Sequence, residues 1–305
     1  MLREGYNECL QILDLFNFFR DWLEPIDLLV KFLFFHFWGM MRKFGLTKRY
    51  KRIMLVMALT LLAGSAAKAE DDANSQSLGV GFTLDYFSKY IWRGQNLNNE
   101  SVFQPSMYFS KYGFTGTIWS TQDWTSVNGE SGEFTEVDYS LEYTNVLPWI
   151  DGVDWFVGVI YYDDTTGNSA EDTTEVYGGL TFSKLPLAPT FTFYRDIDVD
   201  KGTYYQFSIS HTIEKIAKWK DKVYCDLVLG ASLGYGNSAY NKGNFDVSGG
   251  NFNDLTISAA LPVFLGKCWI IKPSINYSTM LAGPISDATE MSDNMWFGVG
   301  LSADF

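Results

Sequence analysis

Cysteine, histidine and basic charge are all scarce in this chain. Three Cys and two His occur in 305 residues, and of these only His211, Cys225 and Cys268 lie beyond residue 69. Two cysteines cannot build a disulfide scaffold, and without C-x-x-C spacing they offer no zinc site, so no metal or cofactor is expected. A single histidine leaves little for nucleophile-and-base chemistry. Carboxylate-only catalysis cannot be assigned when acids are this abundant. Net charge is −13, which argues against a nucleic-acid partner. With 19% charged residues and a mean hydropathy of −0.06, the chain is also far from the composition of a helical membrane bundle. What is plentiful is aromatic: 24 Phe, 18 Tyr and 10 Trp beside 27 Gly, too many for a disordered chain.

The first 69 residues differ chemically from the rest. Ten of the 23 basic residues fall there against six of the 36 acidic ones, leaving 13 basic and 30 acidic groups downstream. From Met41 the sequence reads MRKFGLTKRYKR, then an apolar run from Ile53 to Gly64, then SAAKA. Ala67 and Ala69 stand as A-x-A ahead of Glu70, completing a secretory signal with cleavage after Ala69. The apolar run is shorter than the ~18 to 20 residues that span a bilayer as a helix. Residues 1–40 precede this signal and read as a mis-assigned upstream start, leaving 41–69 as signal peptide and 70–305 as the folded domain.

Period-two alternation governs the chain after Glu70. Thr135, Val137, Tyr139, Leu141 and Tyr143 form one face, and Glu136, Asp138, Ser140 and Glu142 the other. Such segments place strands near 78–90, 102–110, 114–122, 133–144, 153–162, 173–183, 189–195, 203–211, 223–234, 253–263, 268–279 and 295–305. The count of twelve is even. Short connections at 111–113, 184–188 and 265–267 alternate with longer Asn/Asp/Gly-rich ones at 91–101, 123–132, 163–172, 235–252 and 280–294. The expected fold is an all-β, transmembrane antiparallel barrel of outer-membrane type, with short turns on the periplasmic rim and long loops outside. Tyr86, Tyr90, Trp155 and Trp269 are placed for interfacial girdles against outer-membrane lipid. Pro105 and Pro273 fall inside proposed strands, where bulges are expected.

The end of the chain favours the barrel over a secreted sandwich. Met295, Phe297, Val299, Leu301, Ala303 and the final Phe305 make an unbroken apolar face. This ending resembles the terminal signal by which the barrel-assembly machinery recognises its clients.

The segments DYFSKYIWRG at 85–94, QPS at 104–106, GF at 113–114, WS at 119–120 and EVDYSLEY at 136–143 resemble the Gcw_chp family of uncharacterised bacterial outer-membrane proteins. YY at 161–162, EVYGGL at 175–180, YYQFSIS at 204–210 and LGASLGYG at 229–236 continue the resemblance over most of the exported chain. It implies export and a barrel, and brings no catalytic residues. The family's opening motif has a short DYRFRG-like form, from which this chain departs with Trp92 ahead of Arg93 and Gly94.

By parity Asp85, Glu136, Asp138, Glu142, Asp154, Glu175, Asp226 and Asp254 point inward, opposed chiefly by Lys272. Rings of carboxylate in a narrow lumen concentrate cations and repel anions, which suggests a porin-like, cation-preferring channel for small polar solutes. Inward Tyr108, Trp119, Tyr162, Tyr177, Tyr204 and Tyr224 could instead fill the lumen, giving a closed structural or surface-binding barrel, since twelve strands lie between filled and open barrels. An outer-membrane enzyme is the remaining alternative, with His211 expected at the periplasmic end of its strand. Cys225 and Cys268, on opposite faces with a strand between them, are expected to be free thiols.

Overall fold

The computed structural model describes residues 78–129, 131–166 and 172–305. Its strands are β1 (Gly79–Phe87), β2 (Tyr90–Trp92), β3 (Gln95–Asn98), β4 (Val102–Lys111), β5 (Phe114–Asp123), β6 (Phe134–Val146), β7 (Val153–Asp164) and β8 (Thr173–Phe182). They continue as β9 (Thr190–Asp196), β10 (Thr203–Lys220), β11 (Val223–Gly236), β12 (Asn251–Ala260), β13 (Val263–Leu265), β14 (Trp269–Met280) and β15 (Asp293–Asp304). Two helices, α1 (Ser238–Phe245) and α2 (Gly283–Ala288), lie in the long connections. The signal peptide, its Ala67 and Ala69, and the segment 1–40 lie outside the described residues.

Twelve of these strands, β1, β4 to β12, β14 and β15, pair in sequence as a closed antiparallel barrel. The ring closes where β1 meets β15, with Phe82 opposite Ala303 and Tyr86 opposite Val299. Closure leaves no open sheet edge, the condition for strands to cross lipid, where unpaired backbone groups cost several kcal/mol each. The outward side is apolar: Leu141, Val157, Phe193, Phe207, Ile257 and Phe297 are all exposed. On the last strand Met295, Phe297 and Val299 are exposed on this face, while Ala303 is fully buried, opposite Phe82 and Trp269, whose rings meet edge to face at 5.8 Å. Cys225 and Cys268 are not joined by a disulfide.

Several expectations are corrected. The first strand ends at Phe87 rather than 90, and the expected outer loop after it contains the hairpin β2–β3. Tyr90 therefore joins no girdle: its hydroxyl donates to Glu136 Oε2 at 3.0 Å. The eighth barrel strand, β10, runs to Lys220 instead of 211, because it stays paired with β11 through register shifts between Ile213 and Ala217 and between Lys218 and Lys220. The sequence TIEKIAKWKDK is thus mostly strand, turning only at Asp221 and Lys222. His211 sits in the middle of β10, opposite Leu229 and exposed.

Neither proline makes a bulge. Pro105 keeps its place opposite Leu84, and the ladder to β5 passes from Phe103–Gln122 to Ser106–Trp119 without a shift. Side chains bridge the missing pairs, with Gln104 Nε2 donating to Thr121 Oγ1 and Ser120 Oγ to the Pro105 carbonyl. Pro273 stays in register opposite Val299, just past the last β12–β14 pair, so no ladder needs its absent N–H. The long 235–252 connection is also more ordered than its composition suggests: Asn237 caps α1 by accepting from the Tyr240 N–H at 2.9 Å.

Candidate functional site: the lumen and its hairpin

The lumen is built around β2–β3. Trp92 and Gln95 are register partners, so Arg93 and Gly94 form a two-residue turn, with φ of 46° and 80°. Two positive φ values mark the primed turn that tight hairpins require. Holding Arg93 there costs about 1 kcal/mol. At Gly94 only glycine fits, since a Cβ would stand 2.6 Å from Asp254 Cβ and 3.0 Å from Met280 Sδ.

The hairpin crosses the barrel. On one side Tyr90 packs on Trp119 of β5 and Trp92 meets Tyr162 of β7, with centroids 5.7 and 6.3 Å apart. On the other, Gly94 lies against β12 and β14, and Asn96 Nδ2 donates to Asn294 Oδ1 of β15 at 2.8 Å. Its tip is the main anchor. Arg93 donates bidentately to Glu175 of β8, at 2.8 and 2.7 Å, with both side chains buried. The guanidinium also lies 4.4 to 4.5 Å from the ring centroids of Trp92, Tyr194 and Tyr204, and 5.7 Å from that of Tyr240. Burial pulls against its charge, but Tyr240 and Glu175 more than offset that and hold its pKa well above the ordinary value. Tyr177, Tyr194, Tyr204 and Tyr240 continue from it as a chain of rings 5.2 to 6.3 Å apart.

The inward carboxylates separate into groups. Glu136, Glu175 and Asp254 meet the hairpin directly, Asp254 also accepting from Tyr204 Oη at 2.8 Å. Asp138 is the next inward residue after Glu136 on β6, and its Oδ1 is buried without a hydrogen-bond partner. Glu142 accepts from Tyr177 Oη at 2.9 Å. Asp85 and Lys272 face each other across Gly300, on three neighbouring strands. Asp154 and Asp226 lie toward the short-connection rim, away from the hairpin. Asp226 is held by the Lys215 N–H at 2.7 Å, beside the irregularity in β10, and so joins no ring of carboxylates.

On the long-loop side of the hairpin is a cavity of about 800 Å³. Trp92, Tyr162 and Tyr240 give it aromatic walls, and Glu136, Asp164, Asp196 and Asp200 line it with acid. Asp164 accepts from the Thr166 N–H, and Asp196 from Thr173 Oγ1 and the Asp198 N–H, all neutral donors. Burial, and then the charge of Asp196, push the Asp200 carboxyl above the usual carboxylate range. Among the described residues no group of three His, Cys, Asp or Glu is placed to hold a metal.

No family model matches this sequence, and no curated protein does. Solved structures similar to it include a KdgM porin (10% identity, TM-score 0.43, covering 74% of this chain and 99% of that one). An outer-membrane channel of the COG4313 group from Pseudomonas putida F1 has 9% identity and a TM-score of 0.41, covering 78% and 100%. A NanC porin has 10% identity and a TM-score of 0.41, covering 73% and 98%.

Sequence reasoning misses Arg93, Gly94, Asp164, Asp196, Asp200 and Tyr240 as site residues. The available signal is W-R-G-Q: a residue followed by Gly between two short β-type runs is the pattern of a two-residue hairpin.

Proposed function

We propose that the chain is a porin-like protein of the bacterial outer membrane, exported by its signal peptide, and that its lumen passes small polar cations past the β2–β3 constriction. The order of its motifs supports a place beside the Gcw_chp proteins. The observation that carries the functional reading is the charge balance at the hairpin. Arg93 is consumed by Glu175, while Glu136, Asp138 and Asp254 stand around it without a cation of their own. Wall charges act strongly where the passage is narrow: a pair of charges at 4 Å interacts by about 1 kcal/mol in water and about 4 at an effective dielectric near 20.

In planar bilayers, bi-ionic reversal potentials should favour cations. Glu136→Gln with Asp138→Asn should cut that preference, more at low salt, where screening is weak. An anion-preferring current would refute the assignment.

The second reading, a closed barrel, is favoured by one observation: a chain of rings from Tyr177 to Tyr240 runs on from the tip of the hairpin inside the barrel. A silent bilayer would support it. An enzyme draws no support from His211, which lies among outward-facing residues of β10.

Assembly provides a separate test. Deleting Phe305 should leave secretion intact and sharply reduce the heat-modifiable, folded form seen on gels, if the apolar end of β15 is what the assembly machinery reads. Undiminished folded barrel would remove that role.

A further inference from the structure

The cavity outside the hairpin has features that its place in a conduit does not require. It is lined by aromatic rings and, besides the paired Glu175, by acids that have no ion pair among the described residues. It also contains a polar group left open: Tyr240, only 3% exposed, has an Oη with no hydrogen-bond partner. Tyr240 lines the cavity. A buried hydroxyl left without a partner is costly and is expected to find one.

The chain itself shows what these walls accept. Arg93 places a cation 4.4 Å from the Trp92 ring and 5.7 Å from that of Tyr240, and both rings also bound the cavity. Cations near aromatic faces gain most when shielded from water. The charge of Asp196 opposes ionisation of Asp200, so a cation between these acids and the rings would relieve the repulsion.

We propose that this cavity is a binding site for a small organic cation: an ammonium group met by Asp196 and Asp200, and an apolar or aromatic body packed on Trp92 and Tyr162. The ammonium can donate to Tyr240 Oη as well as to the carboxylates. As a statement of what the channel carries, the proposal rests on the conduit reading; as a binding site it can be tested without current.

Isothermal titration of the refolded barrel in detergent with benzylammonium, benzyl alcohol and benzoate keeps the ring constant and varies the charge. Benzylammonium should bind, the alcohol at least about tenfold more weakly, and benzoate not measurably. Asp196→Asn with Asp200→Asn should weaken benzylammonium about tenfold and leave the alcohol unchanged. Because Asp196 also caps a loop, Asp200→Asn alone, with the heat-modifiable shift retained, serves as the variant that must fold, and it should give a smaller loss in the same direction. Equal binding of all three ligands, or benzylammonium binding indifferent to both variants, overturns the site. Charge-dependent binding by a barrel that passes no current keeps the site and removes the conduit.

Discussion

The Glu175→Gln barrel should conduct several-fold more current than the parent, with frequent switching between levels, and should melt at a lower temperature. The reason is that Arg93 would then be a buried cation whose bidentate partner is gone, a change that costs about 3 to 5 kcal/mol. The cheapest escape is for the hairpin tip to leave the wall and take Arg93 to water. That free energy shifts an in/out equilibrium by roughly two to nearly four orders of magnitude. The double change Arg93→Met with Glu175→Leu is the control. It removes both charges together, so the tip should stay seated among Trp92, Tyr194 and Tyr204 and the conductance should stay near that of the parent. Parent-like current and stability in Glu175→Gln would show that the ion pair does not hold the constriction.

Gly94→Val should reach the same state by a different physical route, without touching any charge. At φ of 80° a β-branched residue is strained, and its Cβ would collide with Asp254 and Met280. Neither neighbour can yield easily: Asp254 is tied to Tyr204 Oη, and both it and Met280 are buried. The hairpin should be displaced from the β12–β14 wall, and single-channel conductance should rise as in Glu175→Gln. Gly94→Ala should show the same effect in smaller degree. Closed or parent-like channels in both would mean that the tip tolerates a side chain and that the passage runs elsewhere.

Most of the barrel was legible because its physics is local. Lipid outside and a polar lumen inside impose a two-residue period, and Thr135 to Tyr143 or Met295 to Phe305 show it without interruption. The misreadings arise where a tertiary partner decides. Pro273 sits where no ladder needs its nitrogen, side chains bridge the gap Pro105 leaves in the β4–β5 ladder, and β10 continues past His211 only because β11 is there to pair with it. The hairpin reads as an outer loop because Tyr90 to Asn98 has the length and polarity of one. Nothing in W-R-G-Q alone says that Arg93 will find a carboxylate 82 residues later. Inward carboxylates could be chosen by parity, but parity does not reveal which of them would meet a cation, a tyrosine or a backbone N–H.

The position of the hairpin in the chain, directly after the first strand, sets an order on folding. Its hydrogen-bond partners are 46 residues away at Glu136, 82 at Glu175 and 198 at Asn294. Contacts of such sequence separation form late, because the loops they close must first be paid for in entropy. Asn294 opens the final strand, so the last of these bonds can form only when the whole circle of strands is in place. A segment made early is therefore locked last, and a barrel halted before closure would be expected to carry its constriction unlatched.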